Sequence, residues 1–414
     1  MKAVEKDFIE LTKRAINCEY ADDGFFDETD WVELYKLACI NGLSAVLFDA
    51  AKGCKTLPED IKKKWDASKF HVFVRQTSHF KSLVEVTSQL HGEGIDYAVF
   101  KGEAISECYP KPSYRPSSDS DILVSAADRN RATHVLEKQG YQYTGGKQDK
   151  ELTFINNANG HMIELHTTVF EDYEGMKIDI LKQANLDGPE HRIDMEVNGK
   201  TIHTMGIDEH LVYQFYHLIK HFMLEGASVR FFTDITLFVN KNLDKIHFDY
   251  FWKWMDKCGY APFGHNFLTI CVRYFNMDDS ILNGRHIEAD DEILESIIVD
   301  FIYKGDIEHV RQNSWQLIYA FAPYLVGEKK SHAGGTRGKI SFLFPSAKDL
   351  DISYSYAKKI PLLLPIAWIH RAIKREIIQL RDRRTGKYSA MQKMDIINSR
   401  LELFSSVGLI ESEE

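Results

Sequence analysis

The chain is 414 residues long, 44% hydrophobic and 27% charged, a composition that excludes disordered and fibrous classes and fits two or three folded domains. Lys and Arg number 51 against 61 Asp and Glu, and the net charge of −10 argues against a general nucleic-acid coat protein unless basic groups are concentrated locally. The six cysteines are scattered, with no CxxC pair and no histidine at metal-finger spacing, so reduced thiols are expected rather than a zinc finger or a disulfide framework.

The segment Met1 to Asp7 carries charges where a signal peptide needs an apolar stretch. The longest apolar runs, Leu317 to Val326 and Ile360 to Ile369, reach half a membrane span. A cytoplasmic location follows as the expectation. From Phe8 to about Gln89 the apolar residues fall at helical spacing, and Thr56-Leu57-Pro58-Glu59 reads as a cap with proline in the first turn of a long helix. At Gly92-Glu93-Gly94 the texture changes. Ile95 to Phe100 reads as a strand ending at Lys101-Gly102, followed by a short helix to Tyr109.

The proline-rich loop from Pro110 to Ser118 delivers the chain into a second strand, Asp119-Ser120-Asp121-Ile122-Leu123-Val124. A capped helix follows, ending at Gly140, and then Glu151 to Ile155 and His161 to His166 form a β-hairpin about Asn156 to Gly160. Beyond Asp208, which fits a cap, helices resume to near Phe275. The stretch 329–339 is glycine-rich and basic, a mobile loop by its composition. Residues 358–387 hold nine Lys/Arg against two acids, the one strong local reversal of charge. The predicted organisation is a helical region over 1–91, an α/β domain over 92–205, a helical domain over 206–330 and a basic, mainly helical segment over 331–414.

Asp119 and Asp121 stand two apart on a strand, so their carboxylates emerge on one face, and like charges held that close need a cation. A turn-capping pair is the other reading of this spacing. Met162, Glu164 and His166 share one face of the hairpin strand, which makes Glu164 available to the acidic pair if the two strands are neighbours. Carboxylates without a thiolate favour Mg²⁺ or Mn²⁺ over zinc, and two such ions about 4 Å apart would clamp a triphosphate for in-line displacement at phosphorus.

Phe100-Lys101-Gly102, Tyr109-Pro110, Arg115, Asp119-x-Asp121-Ile-Leu-Val, Gly140-Tyr141 and Ile163-Glu164-Leu165-His166 occur in an order that resembles the uncharacterised nucleotidyltransferase family of the DNA polymerase β-like superfamily. The resemblance covers roughly residues 30–275. It implies an α+β fold in which a minimal nucleotidyltransferase mixed sheet is embedded in N- and C-terminal helical regions. It implies a Mg²⁺-dependent (or Mn²⁺-dependent) enzyme that moves a nucleoside monophosphate from an NTP to a hydroxyl acceptor by a two-metal mechanism. A catalytically inactive nucleotide-binding module is the alternative. By similarity, Asp119 and Asp121 hold both metals and Glu164 completes the site of the metal that activates the acceptor.

The superfamily's Gly-Ser pair after the first strand is replaced by Lys101-Gly102. Gly102 would let backbone approach phosphate, and Lys101 would supply a point charge. Arg115 either grips phosphate or forms a salt bridge that orients Asp119 or Asp121. His166 either binds acceptor or phosphate, orients a metal-bound carboxylate, or is structural.

His210, Gln214, His217 and His221 form a polar helical ridge expected to line the cleft, and His217 and His221 lack the glutamate of an HExxH zinc motif. Arg230 and Asp234, at i and i+4, either reach nucleotide or pin two helices. The acceptor is a small molecule or sugar, a protein or an RNA end, nucleic acid being disfavoured by the net charge. Residues 358–390 are either a peripheral membrane contact or a core helix docked on their own protein, and their basic positions either guide an RNA acceptor or polyanionic glycan or form a solvated helix face.

Overall fold

The computed structural model describes residues 1–146, 150–171, 176–197, 199–285, 290–306, 354, 356–357, 360–371, 373 and 390–410. The apolar run 317–326, the glycine-rich stretch 329–339 and the basic positions 374–387 lie outside the described residues.

Four helices open the chain: α1 (Ala3–Ile16), α2 (Trp31–Ile40), α3 (Ser44–Ala51) and the 34-residue α4 (Glu59–Gly92). Pro58 is the residue before α4 and its fixed φ suits that position, but Thr56 does not cap the helix. Its hydroxyl instead donates to the Phe26 carbonyl at 2.8 Å, tying the helix entry to the preceding loop.

The α/β part begins with β1 (Tyr97–Phe100), α5 (Gly102–Ser106), β2 (Asp119–Val124), α6 (Arg129–Lys138), β3 (Tyr141–Gly145), β4 (Glu151–Asn156) and β5 (His161–His166). The loop before β2 contains one 3₁₀ turn, Pro112–Tyr114. After α7 (Ile178–Leu181), the strands β6 (Arg192–Val197) and β7 (Lys200–Met205) complete a mixed seven-stranded sheet ordered β3-β4-β5-β2-β1-β7-β6. The α+β architecture with a mixed sheet and flanking helices is therefore as the sequence implies.

Two of these pairings build the site. β1 runs antiparallel to β2, with Phe100 opposite Asp121. β2 runs parallel to β5, with Asp121 opposite Glu164 and Leu123 opposite His166. Alternation along the strands then assigns faces. Val99, Ile122, Val124, Ile163 and Leu165 turn to a core shared with Leu83, Val86 and Leu90 of α4 and Val135 and Leu136 of α6. Ala98, Phe100 and Leu123 turn the other way, into the larger core of the helical parts.

That larger core is supplied by α8 (Ile207–Leu224), α9 (Arg230–Lys241), α10 (Phe248–Cys258), α11 (Ala261–Phe275) and α12 (Asp291–Ile302) together with α1 to α3. Phe222, Phe232, Phe267 and Phe301 stack within it at centroid distances of 4.6 to 5.9 Å. A last helix, α13 (Ala390–Ser406), adds Phe404 to the same cluster. Among the described residues no helix is long and apolar enough to cross a membrane.

Candidate active site

Asp121 of β2 and Glu164 and His166 of β5 leave the sheet on its helical face. Lys101, one residue beyond β1, points back among them: its ammonium donates to Asp121 Oδ1 at 2.7 Å. His166 Nε2 lies 2.9 Å from the same oxygen and 3.5 Å from Glu164 Oε2. The Phe100 ring meets His166 edge-on at 5.2 Å and Tyr213 of α8 at 5.3 Å, so the cluster has an aromatic floor.

Lys101 achieves this position with φ +57 and ψ −117, a backbone conformation that costs an L-residue of order 1–3 kcal/mol. The strain turns β1 directly into α5. Gly102 follows, and a Cβ there would meet Ser117 Oγ at 2.7 Å, so only glycine lets α5 start this close to the loop before β2.

Burial opposes the charge on Asp121, yet the Lys101 ammonium and the His166 hydrogen bond hold its carboxyl well below the usual carboxylate range. Burial likewise opposes the charge on Lys101, and Asp121 more than compensates, raising it well above its ordinary value. For His166, burial favours the neutral ring, while hydrogen bonds to Asp121 and Glu164 raise its affinity for a proton. Burial, and then the negative charge of Asp121, raise Asp119.

Asp121, Glu164 and His166 each offer a ligand atom, and these atoms lie within 4.8 Å of one another. Among the described residues this is the one group of three or more His, Cys, Asp or Glu side chains so placed. The two carboxylates suit a hard divalent cation, whereas the imidazole suits a borderline transition metal, so the set can hold a divalent cation without selecting one. Asp119 lies outside the group. It accepts from Ser118 Oγ at 3.1 Å, and the twist of β2 adds to the divergence of residues two apart. The converging set is thus Asp121 with Glu164 and His166, rather than the two aspartates with Glu164.

Arg115 does not approach Asp119 or Asp121. Its guanidinium, 6% exposed, makes a two-pronged bond to Asp234 of α9, Nε to Oδ1 at 2.9 Å and Nη2 to Oδ2 at 2.8 Å. Tyr109 also donates to Asp234 Oδ1 at 2.7 Å. The loop after α5 is thereby pinned to the helical part, and the partner of Asp234 is Arg115 rather than its i−4 neighbour Arg230, which stands 4.0 Å away. The bond to Asp234 stands where a salt bridge to Asp119 or Asp121 was expected of Arg115, and Nη1, which takes no part in it, lies toward Gly102.

The ridge on α8 divides. His210 and Gln214 are buried in the interior, whereas His217 and His221 stay near the site, their Nε2 atoms 2.9 Å apart. His217 stacks at 5.9 Å on Tyr213, and His221 Nδ1 meets Glu225 at 3.0 Å. Burial, then the neighbouring His221, drives His217 well below the ordinary imidazole range, so it is a neutral ring.

Glu103 escapes sequence reasoning altogether. It accepts from Ser120 Oγ at 2.7 Å, and the same hydroxyl sits 2.8 Å from His161 Nε2, whose Nδ1 meets Tyr141 at 2.6 Å. This chain of polar groups runs through the α4 side of the sheet. No local spacing announces it; Tyr213, by contrast, was findable as the i−4 neighbour of His217.

A profile of the uncharacterised nucleotidyltransferase family matches residues 27–276, and the chain belongs to that family. Among solved structures, an antigenic nucleotidyltransferase-like protein from Paracoccidioides brasiliensis is similar at 13% identity, over 50% of this chain and 98% of its own, with a TM-score of 0.31. No curated protein matches the chain. Membership makes it a transferase by class, with nucleoside monophosphate transfer as the general activity.

Proposed function

We propose that the protein transfers a nucleoside monophosphate from an NTP to a hydroxyl acceptor and releases pyrophosphate. The observation that carries this reading is the register of β2 and β5, which sets Asp121 opposite Glu164 and brings His166 to both. Asp121 and Glu164, with His166 or Asp119 as the third contact, would hold Mg²⁺ or Mn²⁺. The ion would supply charge neutralisation of the triphosphate and a lowered barrier to deprotonating the acceptor.

In the reaction the acceptor oxygen forms a bond to the α-phosphorus, the bond from that phosphorus to the bridging oxygen breaks, and pyrophosphate leaves with the electron pair. Glu164, half-open to solvent where Asp121 is sealed, is placed to receive the acceptor's proton. Gly102 lets backbone N–H groups at the start of α5 approach phosphate. Lys101 moves its ammonium between Asp121 and the incoming phosphate. Arg115 is a positioning residue, acting through Asp234 on the loop that leads into β2.

A second reading is favoured by one contact. The Lys101 ammonium already neutralises Asp121 at 2.7 Å, as it would in a nucleotide-binding module that works without a metal. The two readings separate in one experiment. Purified protein is incubated with each α-³²P-labelled NTP, Mg²⁺ and cell extract fractionated into small molecules, RNA and protein. Label transferred to one fraction by wild type, and reduced at least a hundredfold by Asp121→Asn, establishes the transferase and names the acceptor class. NTP binding that is equal in Mg²⁺ and in EDTA, without transfer, establishes the binding module.

A further inference from the structure

We propose that a cavity outside the sheet, walled by Arg75, Arg230 and Lys304, binds the β- and γ-phosphates of the nucleotide; this rests on the nucleotidyl-transfer reading above. The cavity has a volume of about 260 Å³. That is smaller than the roughly 300–1,000 Å³ that encloses a whole small-molecule ligand, so it suits one group of a ligand. Asp119 is the one acid among its lining residues, and it ties the cavity to the strand that carries Asp121. Arg75 and Arg230 already outweigh that carboxylate and select for an anion, and the separate origins of the lining cations on α4, α9 and the turn after α12 suit an extended one.

The charge on Arg230 is the sharpest pointer. Two guanidiniums face one carboxylate, and Arg115 occupies both oxygens of Asp234. Among the described residues, Arg230 keeps only the Pro116 carbonyl, at 3.0 Å from Nη1, and Asp234 at 4.0 Å. Its side chain is 32% exposed, open toward the cavity it lines. A phosphate oxygen would complete the unused part of its donor fork.

The wall is also preorganised. Asn41, 1% exposed, donates to the carbonyls of Leu37 and Ile302 at 3.0 Å each and accepts from the Val229 amide at 2.9 Å. One side chain therefore fixes the turn that carries Gly42, the end of α12 that leads to Lys304 and the residue before Arg230. Gly42, at φ +69, lies against Arg230 Nη1, which a Cβ would meet at 3.2 Å. The Lys101 ammonium is shared with Asp121, so Arg75 and Arg230 add positive charge for the terminal phosphates that Lys101 alone does not supply.

The test is calorimetric titration with inorganic tripolyphosphate, an NTP and the matching NMP in EDTA, on wild type, Arg75→Glu and Arg230→Gln. Arg75 is exposed on α4, so its reversal leaves the fold intact, and thermal unfolding checks both variants. We expect each variant to weaken tripolyphosphate and NTP at least tenfold and to leave NMP within twofold. Unchanged NTP affinity in both variants overturns the cavity while leaving nucleotide use standing, as does wild type that binds NTP but no tripolyphosphate. Tripolyphosphate binding lost in the variants, with no transfer from any NTP by wild type, upholds the anion site and overturns nucleotidyl transfer. The same loss with transfer intact upholds both.

Discussion

Glu103 carries a carboxyl group into the interior, 7% exposed, with one oxygen bonded to Ser120 and the other without a hydrogen-bond partner. Burial pushes its pKa up to about 7, the Ser120 bond opposing only in part. The folded state therefore holds a proton that the unfolded chain has released above its ordinary value of 4.5. The contribution of Glu103 to stability therefore falls as pH rises from about 4.5 to about 7, by roughly 3 kcal/mol at 1.36 kcal/mol per unit, and stays low above. Glu103→Gln keeps a neutral acceptor for Ser120 and should abolish this fall. Urea unfolding at pH 5 and pH 8 checks it: the variant should gain stability over wild type at pH 8 and little at pH 5, and equal curves at both would refute the assignment. Residues such as Glu103 are illegible in sequence because their burial is decided by partners far along the chain, here Ser120 of β2. Asp121 and Glu164 were legible, since alternation along a strand fixes the face of each. Their convergence with His166, while Asp119 is bonded by Ser118, was not, because such bonds act below the resolution of spacing.

Strands and helices with strong periodicity were read to within a few residues, among them β2, the β4–β5 hairpin and α8. The β6–β7 hairpin was missed: its burial alternates weakly, with Arg192, Asp194, Glu196 and Lys200 giving it the texture of a polar loop. Its place at the sheet edge, β7 pairing with β1 through Val99 and Thr204, is a long-range fact. The run from Ile360 divides more informatively. Leu362 of the turn Pro361–Leu363 and Ile366, Ile369 and Ile373 of the helix after it are 55 to 89% exposed, while Ala367 packs on Tyr354 and Ala357. Four bare apolar residues at i, i+4, i+7 and i+11, in a stretch with nine basic residues, have the make-up of an interfacial helix. The expected outcome is cosedimentation of the full chain with vesicles rich in anionic lipid, not with neutral ones, and its loss in Ile366→Glu/Ile369→Glu. Wild type that stays in the supernatant with both vesicle types would end this reading and leave a solvated face.

At the scale of the molecule, one apolar cluster runs from Phe8 to Ile410 and takes in one face of the sheet. The chain ends are drawn onto it: the N-terminal amine meets Glu295 at 2.6 Å, and Arg400 bonds Asp300 and the Phe222 carbonyl. Contacts across nearly three hundred residues leave no trace in local spacing, which is why the sequence yields segments and not their assembly. The polar counterpart of this joint is Arg115–Asp234, a buried bidentate pair between the loop after α5 and α9. Its energetics follow from what each substitution leaves behind. Asp234→Ala strands a buried guanidinium beside Arg230, another positive charge, and should cost about 3–5 kcal/mol. Arg115→Ala strands a carboxylate, but Tyr109 and Arg230 remain beside it to share the charge, so its cost should be smaller. Arg115→Met/Asp234→Leu removes both charges and fills the space, and should recover most of the loss in urea unfolding while still raising KM for NTP, because the loop that leads into β2 is no longer held. A double variant as unstable as the sum of the two single ones, with KM unchanged, would mean that the pair neither couples nor positions the loop.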